Sequence, residues 1–193
     1  MKTNKLFAAR DLRNSIEKRQ HIPSCCGVYQ WWCEEDILIK ILSSLDLDVN
    51  DCKKDIEKTK ENIKEKELYC IYVGDTCNLK RRICSNHIKG KIRNSTLRKT
   101  IAAVLVENKD EEKVNDIIDK LYVNWYEIKE GKNKKETYHK LQDEKINSCF
   151  RPFNNKDITK AEIYTENRHY IKKHKYYYSC MLINKRNSLN GND

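Results

Sequence analysis

Two short segments rich in aromatic and β-branched residues constrain the fold of this chain more than any other feature. The segments GVYQWWC at 27–33 and LYCIYVG at 68–74 have the composition of buried strands. A third segment, at 121–128, alternates like a half-buried strand. Helical patterns separate the three segments. The sequence therefore predicts a small α/β domain with a three-stranded sheet flanked by helices.

The helices are predicted from apolar spacing and from capping residues. The first covers 6–19 and ends before Pro23. The segment 34–67, inserted between the first two strands, is predicted to be helical throughout, amphipathic in its first part and mostly charged in its second. Asn94 or Ser95 is predicted to cap a later helix that begins in STLRKT.

The chain is predicted to form one domain over 1–180, which includes a basic, tyrosine-rich helix at 157–180 and is followed by a disordered tail at 181–193. The apolar residues of the inserted helix must be buried. Packing against the domain's own core is favoured over a dimer contact, because one apolar stripe is common on the helices of monomers. The oligomeric state stays open between monomer and homodimer.

The charge balance indicates the kind of partner. Lysine and arginine together number 39 against 29 acidic residues, which gives a net charge of +10. Such an excess favours polyanions, with nucleic acid as the first candidate and an anionic membrane surface as the second. The sequence has no apolar run of membrane-spanning length and no secretory signal, so it predicts a cytoplasmic protein without a membrane partner.

The chain contains nine cysteines, so a structural zinc site has to be considered. Zinc ribbons and fingers use close pairs of ligands on tight turns, and the sequence has no C-x-x-C pair. The spacing therefore disfavours zinc, and the cysteines are predicted to be reduced thiols, mostly buried.

The order of several motifs identifies a resemblance to the GIY-YIG nuclease family. GVY at 27–29 and YVG at 72–74 are followed by NLKRRI, NHIKG, STLRKT and RPFNN, in the family's order. The resemblance covers roughly 20–155 and is closest to the branch of restriction-type and uncharacterised bacterial proteins. It implies an antiparallel sheet, DNA as the partner, and a metal-dependent endonuclease that hydrolyses phosphodiester bonds.

The resemblance also implies the catalytic residues. Both motif tyrosines, Tyr29 and Tyr72, belong to the family's active site, and an arginine ten residues after the second corresponds to Arg82. The family's next histidine or tyrosine suggests His87, five residues beyond Arg82 where four is usual. The terminal asparagine corresponds to Asn154, or to its neighbour Asn155.

Each of these residue types suits one part of phosphodiester hydrolysis. A tyrosine near a cation can act as a general base because positive charge lowers its pKa. Tyr29 is the candidate, with Tyr72 beside it, and which of the two is the base stays open. Arg82 matches the oxygen pair of a phosphate. His87 is a candidate proton carrier or phosphate donor.

The family's metal-binding glutamate falls at an ambiguous position in KLQDEKINSCFRPFNN. Helix register selects Asp143, whereas side-chain chemistry and reach favour Glu144. A hard cation such as Mg²⁺ or Mn²⁺ accepts either carboxylate. One divalent cation is predicted, and no small-molecule cofactor.

Polar and basic residues around the start of the helix in STLRKT are predicted to hold the DNA backbone, because side chains and backbone N–H groups at a helix start can bind phosphate. Two other functions stay open: a catalytically silent nucleic-acid-binding module on the same fold, and a structural or interaction protein. The candidate nucleic-acid-binding residues are Arg81, Arg93, Ser95, Thr96 and Arg98.

Overall fold

The structure, a computed structural model, describes residues 5–44, 50, 53, 56, 57, 60–63, 65–106 and 110–128 of the 193-residue chain. The strands are β1 (Phe7–Ala8), β2 (Gly27–Cys33), β3 (Lys60–Ile63), β4 (Lys66–Thr76) and β5 (Tyr122–Glu127). The helices are α1 (Ala9–Asn14), α2 (Ile16–Gln20), α3 (Glu35–Ser44), a π-helix (Arg81–Ile88), a 3₁₀ helix (Ile92–Asn94), α4 (Thr96–Leu105) and α5 (Glu111–Ile118). No helix in these ranges is both long enough and apolar enough to cross a bilayer.

The described strands form one antiparallel sheet in the order β1-β5-β2-β4-β3. β2 lies in the centre, between β5 and β4, and all seven of its residues are buried. The predicted α/β class and antiparallel pairing are confirmed. The predicted number of strands is wrong: the three expected strands form the middle of the sheet, and a further strand lies at each edge.

The first additional strand replaces the start of the predicted N-terminal helix. Phe7 and Ala8 pair with Val123 and Tyr122 of β5, and the helix begins only at Ala9. Ser15 then interrupts the helix, because its Oγ accepts a hydrogen bond from Lys18 N at 3.1 Å and caps a new helix. A two-residue strand is too short to show alternation, so its pairing with β5 was not visible in the sequence.

The second additional strand replaces the end of the predicted charged helix in the insertion. Lys60–Ile63 pairs with the first residues of β4, from Lys60 opposite Tyr69 to Ile63 opposite Lys66. The turn between the two strands includes Glu65 in the left-handed region, at φ 65°. A short, charged strand at a sheet edge is exposed to solvent on one side, so it lacks the apolar pattern by which strands are recognised.

A β-bulge between β2 and β4 determines which tyrosines share a face. Trp31 lies opposite Tyr72, whereas the next residue, Trp32, lies opposite Cys70. Ile71 is therefore the extra residue of β4. Tyr72 shares a face with Tyr29 through regular pairing, since Tyr29 lies opposite Gly74 and Trp31 opposite Tyr72. Because the bulge then shifts the alternation of side chains by one, Ile71 and Tyr69 point to that same face.

The core lies on both faces of the sheet, and the larger part is on the face that carries Tyr29 and Tyr72. The first part of the insertion contributes to it: Ile37, Leu38, Ile41 and Leu42 of α3 are all buried there. The smaller part, on the opposite face, includes Val28, Trp32, Leu68, Cys70, Val73, Tyr126 and Ile128.

Candidate active site

Tyr29 and Tyr72 lie side by side on adjacent strands in the larger part of the core. Their ring centroids are 6.2 Å apart, and their hydroxyls are hydrogen-bonded to each other. Tyr29 is fully buried, whereas Tyr72 keeps 6% of its surface exposed. The two residues therefore form a coupled pair, in which Tyr72 is nearer to solvent.

Gly27 and Gly74, the glycines of the two motifs, are each required for a different steric reason. Gly74 pairs with Tyr29 across the sheet, and a Cβ on Gly74 would lie 2.3 Å from the Tyr29 hydroxyl oxygen. A Cβ on Gly27 would lie 2.4 Å from the backbone oxygen of Tyr126 and 2.6 Å from Leu79 Cδ1. Gly74 thus makes room for the ring of Tyr29, whereas Gly27 makes room for the backbone of Tyr126 and the side chain of Leu79.

The π-helix brings Arg82 and His87 to the same side of the helix. In a π-helix, backbone hydrogen bonds connect residues five apart, as Lys89 N donates to Cys84 O here at 3.0 Å. Residues separated by five positions therefore lie one above the other. This geometry accounts for the five-residue spacing between Arg82 and His87, where the family resemblance leads one to expect four.

The Tyr29 hydroxyl is the centre of the site. Arg82 Nε donates to Tyr29 Oη at 3.2 Å, and His87 Nε2 lies 2.8 Å from the same oxygen. The other ring nitrogen of His87, Nδ1, lies 2.6 Å from Ser95 Oγ. Ser95 in turn caps α4 by accepting a hydrogen bond from Arg98 N at 3.1 Å. Four elements therefore meet at the tyrosine pair: β2, β4, the π-helix and the start of α4.

Burial and neighbouring charges shift the pKa values of these groups. Burial raises the pKa of Tyr29 well above its ordinary value, the interaction with Tyr72 raises it further, and the charge of Arg82 lowers it. Burial also raises the pKa of Tyr72, while Arg82 and the hydrogen bond from Tyr29 lower it. The pKa of His87 lies well below 6.5 because the ring is buried and faces the cations Arg82 and Arg98. At neutral pH, His87 is therefore an uncharged imidazole and both tyrosines are protonated.

The buried His87 should make stability depend on pH. Its pKa is lower in the folded protein than the unfolded value near 6.5, so the unfolded chain binds the proton more tightly. The neutral ring of His87 makes its full contribution to the free energy of unfolding above about pH 6.5. This contribution is lost as the pH falls below that value, by up to ~1.4 kcal/mol per pH unit. Urea unfolding at pH 7, 6 and 5 should therefore show a smaller loss of stability in His87→Gln than in the wild type.

The exposed His21 is a suitable control for this measurement. The variant His21→Gln should lose stability with acidification as steeply as the wild type. Equal slopes for the wild type and His87→Gln would show that the ring of His87 is not shielded from protons in the folded protein.

The candidate nucleic-acid-binding residues divide into exposed and buried groups. Arg81 and Arg93 are exposed and Thr96 is half-buried, so these three are accessible to a ligand. Ser95 and Arg98 are buried, at 0% and 1% exposure. Both side chains therefore face the interior in this structure, and their role in DNA binding stays a prediction.

Arg98 has protein partners at both terminal nitrogens of its guanidinium. Its Nη1 donates to His87 O and Ile88 O at 3.1 and 3.3 Å, and its Nη2 donates to Glu111 Oε2 and Asn115 Oδ1 at 2.9 and 2.8 Å. These bonds connect the end of the π-helix to α5. Arg98 therefore supports the position of His87 and has no free donor for phosphate at these two nitrogens.

The predicted metal ligands Asp143 and Glu144 and the predicted asparagine, Asn154 or Asn155, lie outside the described residues. Among the described residues, no three or more His, Cys, Asp or Glu side chains are grouped so that they could hold a metal ion.

Two contacts of the site were not predicted from the sequence. The hydrogen bond of Ser95 to His87 was missed because Ser95 was interpreted as a helix cap and as a residue that binds DNA. Trp31 packs edge-on against His87, with ring centroids 5.8 Å apart. The sequence signal for Trp31 was available, since Trp31 lies two residues after Tyr29 on the same strand and hence on the same face.

Comparison with known proteins gives one match. A model of the GIY-YIG catalytic domain matches residues 27–176, which is most of the chain. No curated protein and no solved structure matches it. The matched range includes both tyrosine motifs, the π-helix and α4, and it agrees with the resemblance identified from the motifs.

Proposed function

The chain belongs to the GIY-YIG catalytic domain family, and from this premise we propose that it is a metal-dependent endonuclease that hydrolyses phosphodiester bonds in DNA. One observation carries the proposal: Arg82 and His87 both contact the hydroxyl of Tyr29, which is itself hydrogen-bonded to Tyr72. Burial of polar and charged groups costs free energy. A cluster of two phenols, a guanidinium and a neutral imidazole is therefore more typical of a functional site than of a core with only a structural role.

The tyrosine pair is proposed to be the general base. Before the reaction, the pair loses one proton to solvent and becomes a phenolate. The oxygen of a water molecule then attacks phosphorus, and one of its protons goes to the phenolate oxygen. The bond from phosphorus to the 3′ oxygen breaks, and the 3′ oxygen leaves with the electron pair of that bond and takes up a proton from solvent. Because Tyr29 and Tyr72 interact, the proton belongs to the pair and not to one residue alone. The nearness of Tyr72 to solvent makes it the member that meets the water.

Arg82 is proposed to have two tasks. Its charge lowers the pKa of both tyrosines, so it favours the phenolate that the reaction needs. It is also only half-buried, so its remaining guanidinium donors can meet a phosphoryl oxygen. His87 is uncharged and buried and is proposed to act on Tyr29, since its ring nitrogens contact Tyr29 and Ser95.

Glu144 or Asp143 is proposed to hold the divalent cation, Mg²⁺ or Mn²⁺, and Asn154 to lie beside it. Carboxylate oxygens are the ligands that such hard cations prefer. When bound, the cation supplies positive charge against the phosphoryl oxygens and the leaving oxygen.

A supercoiled plasmid is the substrate that tests this function. Nicked and linear products are expected with Mg²⁺ or Mn²⁺, and none with EDTA. Binding in a gel-shift assay without cleavage under any of these metals would leave the silent nucleic-acid-binding module as the function. Failure to bind DNA at all would leave the structural or interaction protein.

DNA binding should be strongly salt-dependent. Exposed cations beside the site, among them Arg81 and Arg93, would displace counterions from phosphates. The logarithm of the association constant should fall linearly with the logarithm of the salt concentration, with a slope of about −0.9 for each phosphate contacted. Fluorescence anisotropy with a labelled duplex at several salt concentrations measures this slope, and a flat plot would contradict the nucleic-acid partner.

The two carboxylate candidates can be separated by isosteric substitution. Glu144 reaches further by one methylene, so Glu144→Gln is expected to abolish metal-dependent nicking, whereas Asp143→Asn should keep most of it. The reason is that a small error in the placement of the metal costs orders of magnitude in rate. The reverse order would assign the ligand by helix register, and full activity in both variants would remove both residues from the metal site.

A further inference from the structure

The hydrogen bonds between Ser95, His87 and Tyr29 form a chain whose proton positions can be derived from the structure. Ser95 Oγ lies 2.6 Å from His87 Nδ1, and His87 Nε2 lies 2.8 Å from Tyr29 Oη. All three residues are fully buried. A neutral imidazole carries one proton, on either Nδ1 or Nε2, so the chain has two possible directions.

The first direction satisfies every donor from Ser95 to Tyr29. Ser95 Oγ accepts the backbone N–H of Arg98, and its own hydrogen is donated to His87 Nδ1. The His87 proton then lies on Nε2 and is donated to Tyr29 Oη, which also accepts from Arg82 Nε. The hydrogen of Tyr29 is donated to the hydroxyl of Tyr72.

The opposite direction leaves a buried donor unsatisfied. With the His87 proton on Nδ1, Ser95 Oγ would accept from both His87 and Arg98, and its hydroxyl hydrogen would need a further acceptor. Within the described residues, Ser95 Oγ has no hydrogen-bond partner besides these two. A fully buried hydroxyl without an acceptor is unfavourable. In the first direction, the hydroxyl hydrogen that needs an acceptor outside the chain belongs to Tyr72, which is nearer to solvent than Ser95.

We propose that Ser95 is a positioning residue: its hydroxyl donates to His87 Nδ1, keeps the proton of His87 on Nε2, and so makes His87 a hydrogen-bond donor to Tyr29. The hydrogen bonds then run in one direction, from Ser95 through His87 and Tyr29 to Tyr72. Hydrogen bonds in such a chain polarise one another, so each strengthens the next.

The direction of the chain decides what His87 does in the reaction, and this part rests on the proposed function. Negative charge that develops on the tyrosine pair meets two donors at Tyr29, Arg82 Nε and His87 Nε2. His87 does not take up the proton, because a buried imidazolium would face the cations Arg82 and Arg98. His87 therefore stabilises the base and is not a proton carrier.

The proton position is measured directly by long-range proton–nitrogen correlation NMR on protein labelled with nitrogen-15 at histidine. The chain has five histidines, so His87→Gln is used to assign the His87 signals. The wild type and Ser95→Thr are expected to show a protonated Nε2 and a bare Nδ1. In Ser95→Asp, whose carboxylate can cap α4 but has no hydrogen to donate, the proton should move to Nδ1. A wild-type ring with its proton on Nδ1 would overturn the proposal.

Cleavage kinetics test the functional consequence. Ser95→Ala should lower kcat by about 10-fold or more with little change in KM, and Ser95→Thr should restore it. Should Ser95→Asp not fold, the comparison of Ser95→Ala with Ser95→Thr still decides. The variant Asp110→Ala removes the cap of α5 and controls for the loss of a helix cap. Wild-type kcat in Ser95→Ala would overturn the positioning role.

The two failures can be told apart. If the wild type cleaves no DNA, the proposed function fails, and the NMR experiment still decides the direction of the chain. If the wild type cleaves DNA but carries the His87 proton on Nδ1, the proposed function stands and the positioning role of Ser95 fails.

Discussion

The variants Tyr29→Phe and Arg82→Ala should each lower the rate of DNA cleavage by about 10²–10⁴-fold. Tyr29→Phe removes the one oxygen that Arg82 Nε and His87 Nε2 both contact, and Arg82→Ala removes the only cation that hydrogen-bonds to the tyrosine pair within the described residues. Single-turnover nicking of a plasmid with bound metal measures the chemical step. DNA affinity should change little in Tyr29→Phe, because its hydroxyl is fully buried.

Both variants have a matched control. Arg10 is an exposed arginine of α1 and is not one of the candidate DNA-binding residues, so Arg10→Ala removes the same charge without touching Tyr29. Tyr126 is a buried tyrosine on the opposite face of the sheet, so Tyr126→Phe removes a hydroxyl far from the site. Both controls should cleave at rates near that of the wild type.

Thermal melts check folding. Tyr29→Phe leaves Arg82 Nε and His87 Nε2 without the hydroxyl that they contact, which should lower the free energy of unfolding by about 1–3 kcal/mol. Cleavage at wild-type rates by Tyr29→Phe or by Arg82→Ala would refute the mechanism.

Gly74→Ala should impair both stability and cleavage. The added Cβ would lie 2.3 Å from Tyr29 Oη and 2.4 Å from Cζ, so the whole ring has to move away from Arg82 and His87. Overpacking of this kind costs about 1–3 kcal/mol, and a displacement of Tyr29 by about 1 Å is expected to lower the rate by ~10²-fold. Urea unfolding and single-turnover nicking measure the two effects separately.

A double-mutant cycle shows whether the clash with Tyr29 is the cause. Removing the ring in Tyr29→Ala also removes the group that Gly74→Ala would strike. The destabilisation of the double variant should therefore be clearly smaller than the sum of the two single values. Additive values would mean that Gly74 is required for a reason other than space for Tyr29.

The identity of the central strands could be read from local composition alone. GVYQWWC is apolar at nearly every position because β2 is covered on both faces, and the predicted range 27–33 is the observed one. The two edge strands could not be predicted in this way. β1 has only two residues, and β3 is charged and half-exposed, so neither carries a periodic signal, and each exists only because a neighbouring strand offers backbone partners.

The resemblance of the motifs to the GIY-YIG family implied the candidate residues Tyr29, Tyr72, Arg82 and His87, and the structure brings them into one cluster. The position of His87 relative to Arg82 depends on the type of helix, which the spacing alone does not reveal. The five-residue separation of Arg82 and His87 looks irregular on an α-helix and becomes regular on a π-helix. Local propensity does not predict a π-helix, since it forms where tertiary contacts compensate for weaker helical geometry.

Burial separated residues that the sequence had grouped together. Arg93 and Arg98 lie five residues apart in one basic segment, yet Arg93 is exposed and Arg98 has four hydrogen bonds to protein atoms. A charged side chain can be buried only where enough acceptors converge, and here they come from the π-helix and α5. Acceptors so distant in sequence have no signal in the segment that contains the arginine.

The sequence by itself determined the residue types of the site, the central strands that carry its tyrosines, and the glycine beside each tyrosine motif. These features follow from composition and short spacing, which act within a single strand or turn. Only the tertiary structure decided that Tyr72 faces Tyr29, because that depends on the register of β2 with β4, which places Gly74 opposite Tyr29 and Tyr72 opposite Trp31. It also decided that Ser95 meets His87, since the start of α4 has to fold back onto the π-helix before a capping serine can reach the imidazole.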